Sequence, residues 1–268
     1  MSLSAQVANN LPFLRRYARA LSGSQTTGDA FVHATLEAIL ADKALQESLS
    51  GGRVPLYNAF NKVWSSAYLD VPPGNASGAA GAGEHETAVR ERLGTITPLN
   101  RQALLLSTLE DFSIAETARI LERDENEVED LIRDAIADID RESTTSVLII
   151  EDEPLISMQL EELVSSLGHT ICGTAATRGQ ARQVVAEQMP GLVLADIQLA
   201  DGSSGLDAVD DILQIGDVPV IFITAYPERL LTGDRPEPTY LVTKPFQEVT
   251  VRTAISQALF FGSSRPLP

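Results

Sequence analysis

Several short apolar runs in the second half of the chain each stop at a residue with chemistry. Val147-Leu-Ile-Ile runs into Glu151 and Asp152, and Gly191-Leu-Val-Leu-Ala runs into Asp196. Val218-Pro-Val-Ile-Phe-Ile runs into Thr224, and Tyr240-Leu-Val-Thr runs into Lys244, followed by Pro245 and Phe246. Continuous β-branched runs of this length suit strands buried on both faces of a parallel sheet. Open α/β sheets place their ligand sites at the C-terminal ends of such strands. The pattern therefore predicts one converging site built from Glu151, Asp152, Asp196, Thr224 and Lys244.

The first half has a helical period instead. Residues 10–21 read as a helix with Asn10 as cap, Pro12 in the first turn and Gly23 past the end. Phe13, Leu14, Tyr17 and Leu21 fall on one stripe of it. Residues 30–41 predict a second helix, with Phe31, Ala34, Leu36, Ile39 and Leu40 as its apolar positions. Residues 56–69 predict a third, with Tyr57, Phe60, Trp64 and Tyr68 about one turn apart and read as core. Residues 99–109 supply a further helix. Ser113-Ile-Ala-Glu116 is a capping box opening a helix over 114–121, and Asp124-Glu-Asn-Glu127 is a similar box opening one over 125–139. Two short helices joined by a tight turn are the helix-turn-helix pattern. Val128, Leu131, Ile132, Ala135, Ile136 and Ile139 form the inward face of the last helix. Between the helical segments, residues 70–83 are rich in Pro, Gly, Ala and Ser and read as a flexible linker.

With 268 residues the length suggests about two domains, and 44% apolar content is enough for real cores. The one cysteine, Cys172, excludes an internal disulfide framework and a multi-cysteine metal site, and reads as a small core residue on a strand. No apolar run approaches the ~20 residues needed to span a bilayer. The first residues have neither a basic start nor an apolar stretch, so they predict no signal peptide. Asn75-Ala-Ser is then a sequon without meaning, and the expected location is the cytoplasm.

Net charge is −17, which matters because nucleic acid binders present basic patches. In the first half, Arg15, Arg16 and Arg19 form a small basic cluster. Three arginines are few for tracking phosphates, and a solvated helix face or partner surface is the expectation. The outer positions of the last helix are Glu125, Glu127, Glu129, Asp130, Asp134 and Asp138. A helix entering a major groove needs Arg or Lys there. A carboxylate about 4 Å from a phosphate is repelled by ~1 kcal/mol in bulk water and by ~4 kcal/mol at an effective dielectric of about 20. Several such contacts would erase the ~4–10 kcal/mol by which specific DNA binding exceeds non-specific binding. The electrostatics predict a module that does not read DNA.

Strand ends carrying an acid pair, an acid, a Thr and a Lys-Pro-Phe, in that order, resemble the response-regulator receiver domain over Val147 to about Phe261. The resemblance implies a flavodoxin-like (βα)5 domain with a five-stranded parallel sheet. The helical half is similar to a sigma factor of the extracytoplasmic-function type. Leu14-Arg-Arg-Tyr-Ala-Arg-Ala-Leu-Ser-Gly-Ser resembles the start of sigma region two. Thr97-Pro-Leu-Asn-Arg-Gln-Ala-Leu-Leu-Leu, followed by Phe112-Ser-Ile-Ala-Glu-Thr-Ala, resembles region four. Sigma-like half first and receiver last resembles the PhyR-type general stress response regulators. The expected division is a region-two-like domain at 1–70, a linker at 71–83, a region-four-like domain at 84–142, a hinge at 143–146 and a receiver at 147–265.

The resemblance implies roles for single residues. Asp196 would be the phosphoacceptor. Glu151 and Asp152 would hold Mg²⁺ together with Asp196 and the backbone carbonyl of Gln198, since Mg²⁺ takes hard oxygen ligands. Lys244 would offset charge on the transferring oxygens, Thr224 would bind the new phosphoryl group, and a cis bond before Pro245 would aim the lysine. Asp201 reads as a turn residue. Leu241 stands where many receivers carry an aromatic switch. Phe222-Ile-Thr-Ala-Tyr226 instead resembles the loop of an atypical receiver subgroup, so Tyr226 becomes the switch candidate. Pro227, Pro236 and Pro238 predict a short or irregular fourth helix.

The function implied is that of an anti-anti-sigma factor without enzyme activity. A sensor kinase or phosphotransfer protein would phosphorylate Asp196. The receiver would then release its hold on the sigma-like half, which would sequester a NepR-type anti-sigma factor and free the true sigma factor. The alternative is a phosphorylation-activated transcription regulator that binds promoters directly. A phosphatase with an aspartyl-phosphate intermediate would want a second acid two residues after the nucleophile, where Gln198 stands.

Overall fold

The structure is a computed structural model that describes residues 3–69, 97–139, 144–199, 202, 204–225, 227 and 238–262. The linker at 71–83, residues 84–96, Ser143, Asp201, Tyr226 and Pro236 lie outside the described residues, and so does the side chain of Tyr68. Two compact units emerge, 1–135 and 136–268. Among the described residues no helix is long and apolar enough to cross a membrane.

Among its described residues the first unit is helical. Helix α1 spans Leu3–Ser22, α2 Gln25–Ala41, α3 Lys43–Ser48 and α4 Arg53–Leu69, with a 3₁₀ turn at Leu49–Gly51 before α4. Helix α5 spans Leu99–Thr108, α6 Ile114–Leu121 and α7 Glu125–Ile139. The capping box at α6 forms as predicted: the Ser113 side chain accepts from the Glu116 amide, and the Ser113 amide donates to the Glu116 carboxylate. The expected start of α1 was wrong. The helix begins upstream of Asn10 and carries Pro12 in its interior. The ring removes its own backbone bond to the Ala8 carbonyl and crowds that carbonyl, while Leu14, Tyr17, Ala18 and Leu21 are fully buried beyond it and hold the helix in place. Helix α3 was not predicted. Asp42 caps it, accepting from the amides of Ala44 and Leu45.

The buried line of α2 is Gly28, Val32, Thr35 and Ile39; of the predicted set Ile39 is buried, Phe31, Ala34 and Leu36 are half-buried, and Leu40 is exposed. Gly28 sets this rotation: a Cβ there would meet the backbone of Ala18 and Arg19, so α2 presses its glycine onto α1. The aromatic stripe of α4 behaves as expected, with Tyr57, Phe60 and Trp64 buried. In α7, Val128, Ala135 and Ile139 are buried, while Leu131, Ile132 and Ile136 are partly buried.

The second unit is an α/β domain with a five-stranded parallel sheet in the order β2-β1-β3-β4-β5. Its strands are β1 Ser146–Ile150, β2 Thr170–Ala175, β3 Leu192–Ala195, β4 Val220–Thr224 and β5 Tyr240–Thr243. The helices are α8 Pro154–Ser166, α9 Arg178–Glu187, α10 Gly205–Leu213 and α11 Glu248–Gly262. Residues 147–150 and 192–195 are wholly buried, which is what strands covered on both faces by helices require. Cys172 lies in β2, half-buried, and burial pushes its thiol pKa up. The order of the central strands puts the C-terminal ends of β1 and β3 side by side, with β4 and β5 next to them.

Candidate functional site

Each acid of the site follows a buried strand and is fixed by backbone. Asp196 comes straight after β3, and its amide donates to the Ile150 carbonyl of β1 at 2.8 Å. The Glu151 amide donates to the Ala175 carbonyl of β2 at 2.9 Å. These bonds carry the ladder one residue past each strand and bring Glu151 and Asp196 together. Ligand oxygens of Glu151, Asp152 and Asp196 all lie within 4.8 Å of one another. Glu151 and Asp196 are buried, and Asp152 is half-exposed.

Lys244 reaches the same point from the end of β5. Its Nζ donates to Glu151 Oε2 and to Asp196 Oδ2, both at 2.7 Å. The peptide bond between Lys244 and Pro245 is cis, as the resemblance implied. The Lys244 amide donates to the Thr224 carbonyl at 2.7 Å, which ties the ends of β4 and β5 together, and Thr224 is buried beside them. Gln198 lies two residues beyond Asp196, exposed, with its amide 3.3 Å from Asp196 Oδ1. Tyr226 lies outside the described residues.

Charge in this pocket is unbalanced. Burial pulls the Lys244 ammonium down, but hydrogen bonds to Asp196 and Glu151 outweigh it and the pKa is raised. Burial pushes the Glu151 carboxyl up, and the Asp196 charge adds to this against the pull of Lys244. The three acids Glu151, Asp152 and Asp196 cluster here around one ammonium, that of Lys244. Such a set of oxygens fits a small hard cation such as Mg²⁺.

Two features of the site were not read from the sequence. The amides of Ile197 and Gln198 point at Asp196 Oδ1, at 2.5 and 3.3 Å, and orient the carboxylate. Gly205 packs against the Asp196 backbone so closely that a Cβ would collide with its carbonyl oxygen. Its amide donates to Ile197 O at 2.8 Å, and Gln198 bridges Ser204 in antiparallel fashion. The one available signal was the Ser204-Gly205 pair, a helix cap followed by a residue without a side chain.

In the helical unit, the arginine cluster contradicts the expected solvated or partner-facing surface. Arg15 and Arg19 both bond Asp29 of α2, at 3.0 and 2.9 Å, and Arg19 is fully buried. Arg16 is buried against Glu110. Arginine stems pack well along apolar surface and their forks match carboxylates, so the cluster turns inward once carboxylates are available there. On α7 the predicted outer acids Glu125, Glu127, Glu129, Asp130, Asp134 and Asp138 are all exposed. The nearby bases are engaged locally: Arg123 pairs with Glu127 at 3.2 Å and Arg133 with Asp130 at 2.7 Å.

An acid cluster with a lysine at the strand ends of a parallel sheet defines a response regulator, here joined to a sigma-like helical module. Family models agree: "Sigma2 domain of PhyR" matches residues 7–61, "Response regulator PhyR, sigma-like domain" 93–142, and "Response regulator receiver domain" 147–256. The phyllosphere-induced regulator PhyR of Methylorubrum extorquens is 50% identical over 265 residues, covering 98% of this chain and 97% of the relative. The crystal structure of the anti-anti-sigma factor PhyR from Bartonella quintana is similar with a TM-score of 0.84 and 46% identity, covering 98% and 97% of the two chains. A co-crystal of that Bartonella protein with the anti-sigma factor NepR matches at 45% identity over 97% and 99% of the chains, with a TM-score of 0.39. The chain belongs to the PhyR family.

Proposed function

We propose that the protein is a phosphorylation-controlled anti-anti-sigma factor: its sigma-like half sequesters a NepR-type anti-sigma factor when Asp196 is phosphorylated, and so frees a sigma factor for stress transcription. The observation that carries this reading is the α7 helix, whose sigma-like position is kept while its outer face is acidic and its neighbouring arginines are paired. A surface of that sign repels promoter DNA and suits a protein partner. The Bartonella relative is described as an anti-anti-sigma factor and was crystallised with NepR.

In the mechanism, a carboxylate oxygen of Asp196 attacks the phosphorus of a phosphohistidine or acyl phosphate. The bond from phosphorus to the imidazole nitrogen or acyl oxygen breaks, and its electron pair leaves with that group. Glu151, Asp152, Asp196 and the Gln198 carbonyl would hold Mg²⁺, which when bound supplies positive charge against the phosphoryl oxygens. Lys244 leaves its carboxylate partners to pair with the same oxygens. The amides of Ile197 and Gln198 keep the Asp196 carboxylate in line. Thr224 donates to the new phosphoryl group and draws its loop inward, and Tyr226 reports that movement as the switch aromatic.

Before phosphorylation the receiver holds the sigma-like half in a non-binding state, and the added charge shifts the population toward release. The working division is 1–70, 71–83, 84–142, 143–146 and 147–265. A sensor kinase or phosphotransfer protein supplies the phosphoryl group, and the site of action is the cytoplasm, where sigma factors work. The protein acts stoichiometrically, as a switch and not as an enzyme. Titration of purified NepR-type anti-sigma factor into the full chain, with and without acetyl phosphate, tests the reading. Binding that appears only with the phosphodonor, with no shift of promoter DNA at low salt, is the expected result.

A further inference from the structure

The two sigma-like halves meet through a buried polar cluster that hydrophobic packing alone would not call for. Arg16 of α1 donates from Nε to Glu110 Oε1 at 3.0 Å and from Nη2 to the Leu109 carbonyl at 2.7 Å. Tyr57 of α4 donates from its hydroxyl to the other carboxylate oxygen, Glu110 Oε2, at 2.7 Å. All three side chains are buried, and Glu110 is 94 residues from Arg16 along the chain. Both oxygens of the carboxylate and two nitrogens of the guanidinium have partners, so the charges are satisfied in one relative position of the three segments. Burial pushes the Tyr57 hydroxyl pKa far up, and the Glu110 charge adds to it, which keeps the phenol a donor.

Replacing a buried ion pair with apolar groups is often neutral or stabilising, and in some systems what its directional bonds contribute instead is register. Further bonds cross the same junction. Asn58 of α4 donates to the Ile120 carbonyl at the end of α6 at 3.0 Å, and Lys62 pairs with Glu122 at 2.6 Å. Glu122 itself holds a left-handed φ of 55°, a backbone conformation that favours glycine. Arg53 lies 3.9 Å over the Phe112 ring, and the Thr97 hydroxyl donates to the Leu21 carbonyl.

We propose that the Arg16–Glu110–Tyr57 cluster is a register lock, which fixes the region-two-like and region-four-like halves as one body and so presents the anti-sigma partner with a single preformed surface. This deepens the function proposed above and rests on it for the identity of the partner. A partner that spans both halves binds a fixed body more tightly than two halves it must first align, because the ordering cost is already met.

The experiment measures the distance between spin labels at Leu40→Cys on α2 and Ala115→Cys on α6, in the full chain with Cys172→Ala. Both label positions are exposed. The parent protein should give one narrow distance. The apolar replacement Arg16→Met/Glu110→Leu/Tyr57→Phe should still unfold cooperatively but give a broadened distribution. After phosphodonor treatment its affinity for a purified NepR-type anti-sigma factor should fall at least about tenfold, with Asp196 phosphorylated to the same extent as in the parent. Tyr57→Phe alone, which keeps the packing, should lose affinity about threefold in the same direction. A narrow, unshifted distance in both variants, or affinity within twofold of the parent, overturns the lock. A parent protein that never binds the anti-sigma factor sinks the proposed function instead, and the distance comparison still decides the lock.

Discussion

Lys244 Nζ lies 2.7 Å from Asp196 Oδ2 and donates a hydrogen bond to it, so the lysine rests on the carboxylate expected to receive the phosphoryl group. Its second bond, to Glu151, spans the carboxylates that would hold a metal ion. A resident ammonium competes with any cation for those oxygens. Lys244→Met should therefore bind Mg²⁺ or Mn²⁺ more tightly by calorimetry while accepting phosphate from acetyl phosphate about 10²-fold more slowly, the scale of losing one charge-stabilising donor. Weaker metal binding in the variant would show that the lysine organises the carboxylates rather than competing for them.

Gly205→Ala puts a methyl group into the Asp196 carbonyl. The backbone on both sides is fixed by hydrogen bonds, so relief must come from moving Asp196. The expected cost is roughly 1–3 kcal/mol of receiver stability, the range for overpacking, with a slower phosphorylation rate. Denaturant unfolding followed beside phosphorylation on a Phos-tag gel measures both.

Asp29 gives the helical unit an acid limit. Burial alone would raise its pKa, but hydrogen bonds from Arg15 and Arg19 win and hold it below the ordinary carboxylate value. A depressed folded pKa contributes stability that is complete above the unfolded value, about 3.9, and lost as pH falls through the lower folded value. Thermal melts from pH 7 to pH 3 should show the helical unit weakening below about pH 4, and Asp29→Asn should show a lower melting point at pH 7 with a flatter acid limb.

Thr117 is fully buried on α6, and its hydroxyl has no hydrogen-bond partner among the described residues. Burying an unpaired hydroxyl costs roughly 1–3 kcal/mol. Thr117→Val keeps the shape and removes that cost, so the midpoint of chemical unfolding should rise by the equivalent of about 1 kcal/mol. A lower midpoint would mean that the hydroxyl is satisfied by water.

These cases also show which features a sequence carries openly. The strand ends at Glu151, Asp196, Thr224 and Lys244 were legible because each follows an apolar run, and sheet order then brings them together. The Ser113–Glu116 box was legible because both partners lie within one turn. The ion pairs of Arg16 and Arg19 were not, since Glu110 and Asp29 become neighbours only after the helices pack. The rotation of α2 was missed for a related reason: Gly28 looks like a break in the pattern until α1 is seen lying against it. Gly205 was missed because what it does is leave space, and no residue type announces an absence.

The central claim is that phosphorylation at Asp196 governs capture of an anti-sigma protein. The most direct measurement is the affinity of purified NepR-type anti-sigma factor for the full chain and for Asp196→Ala, each with and without acetyl phosphate. The account predicts that the phosphodonor tightens binding to the parent chain at least about tenfold, a shift of about 1.4 kcal/mol, and leaves Asp196→Ala unchanged. Equal stimulation of the variant, or a parent chain that ignores the phosphodonor and shifts promoter DNA instead, would contradict it.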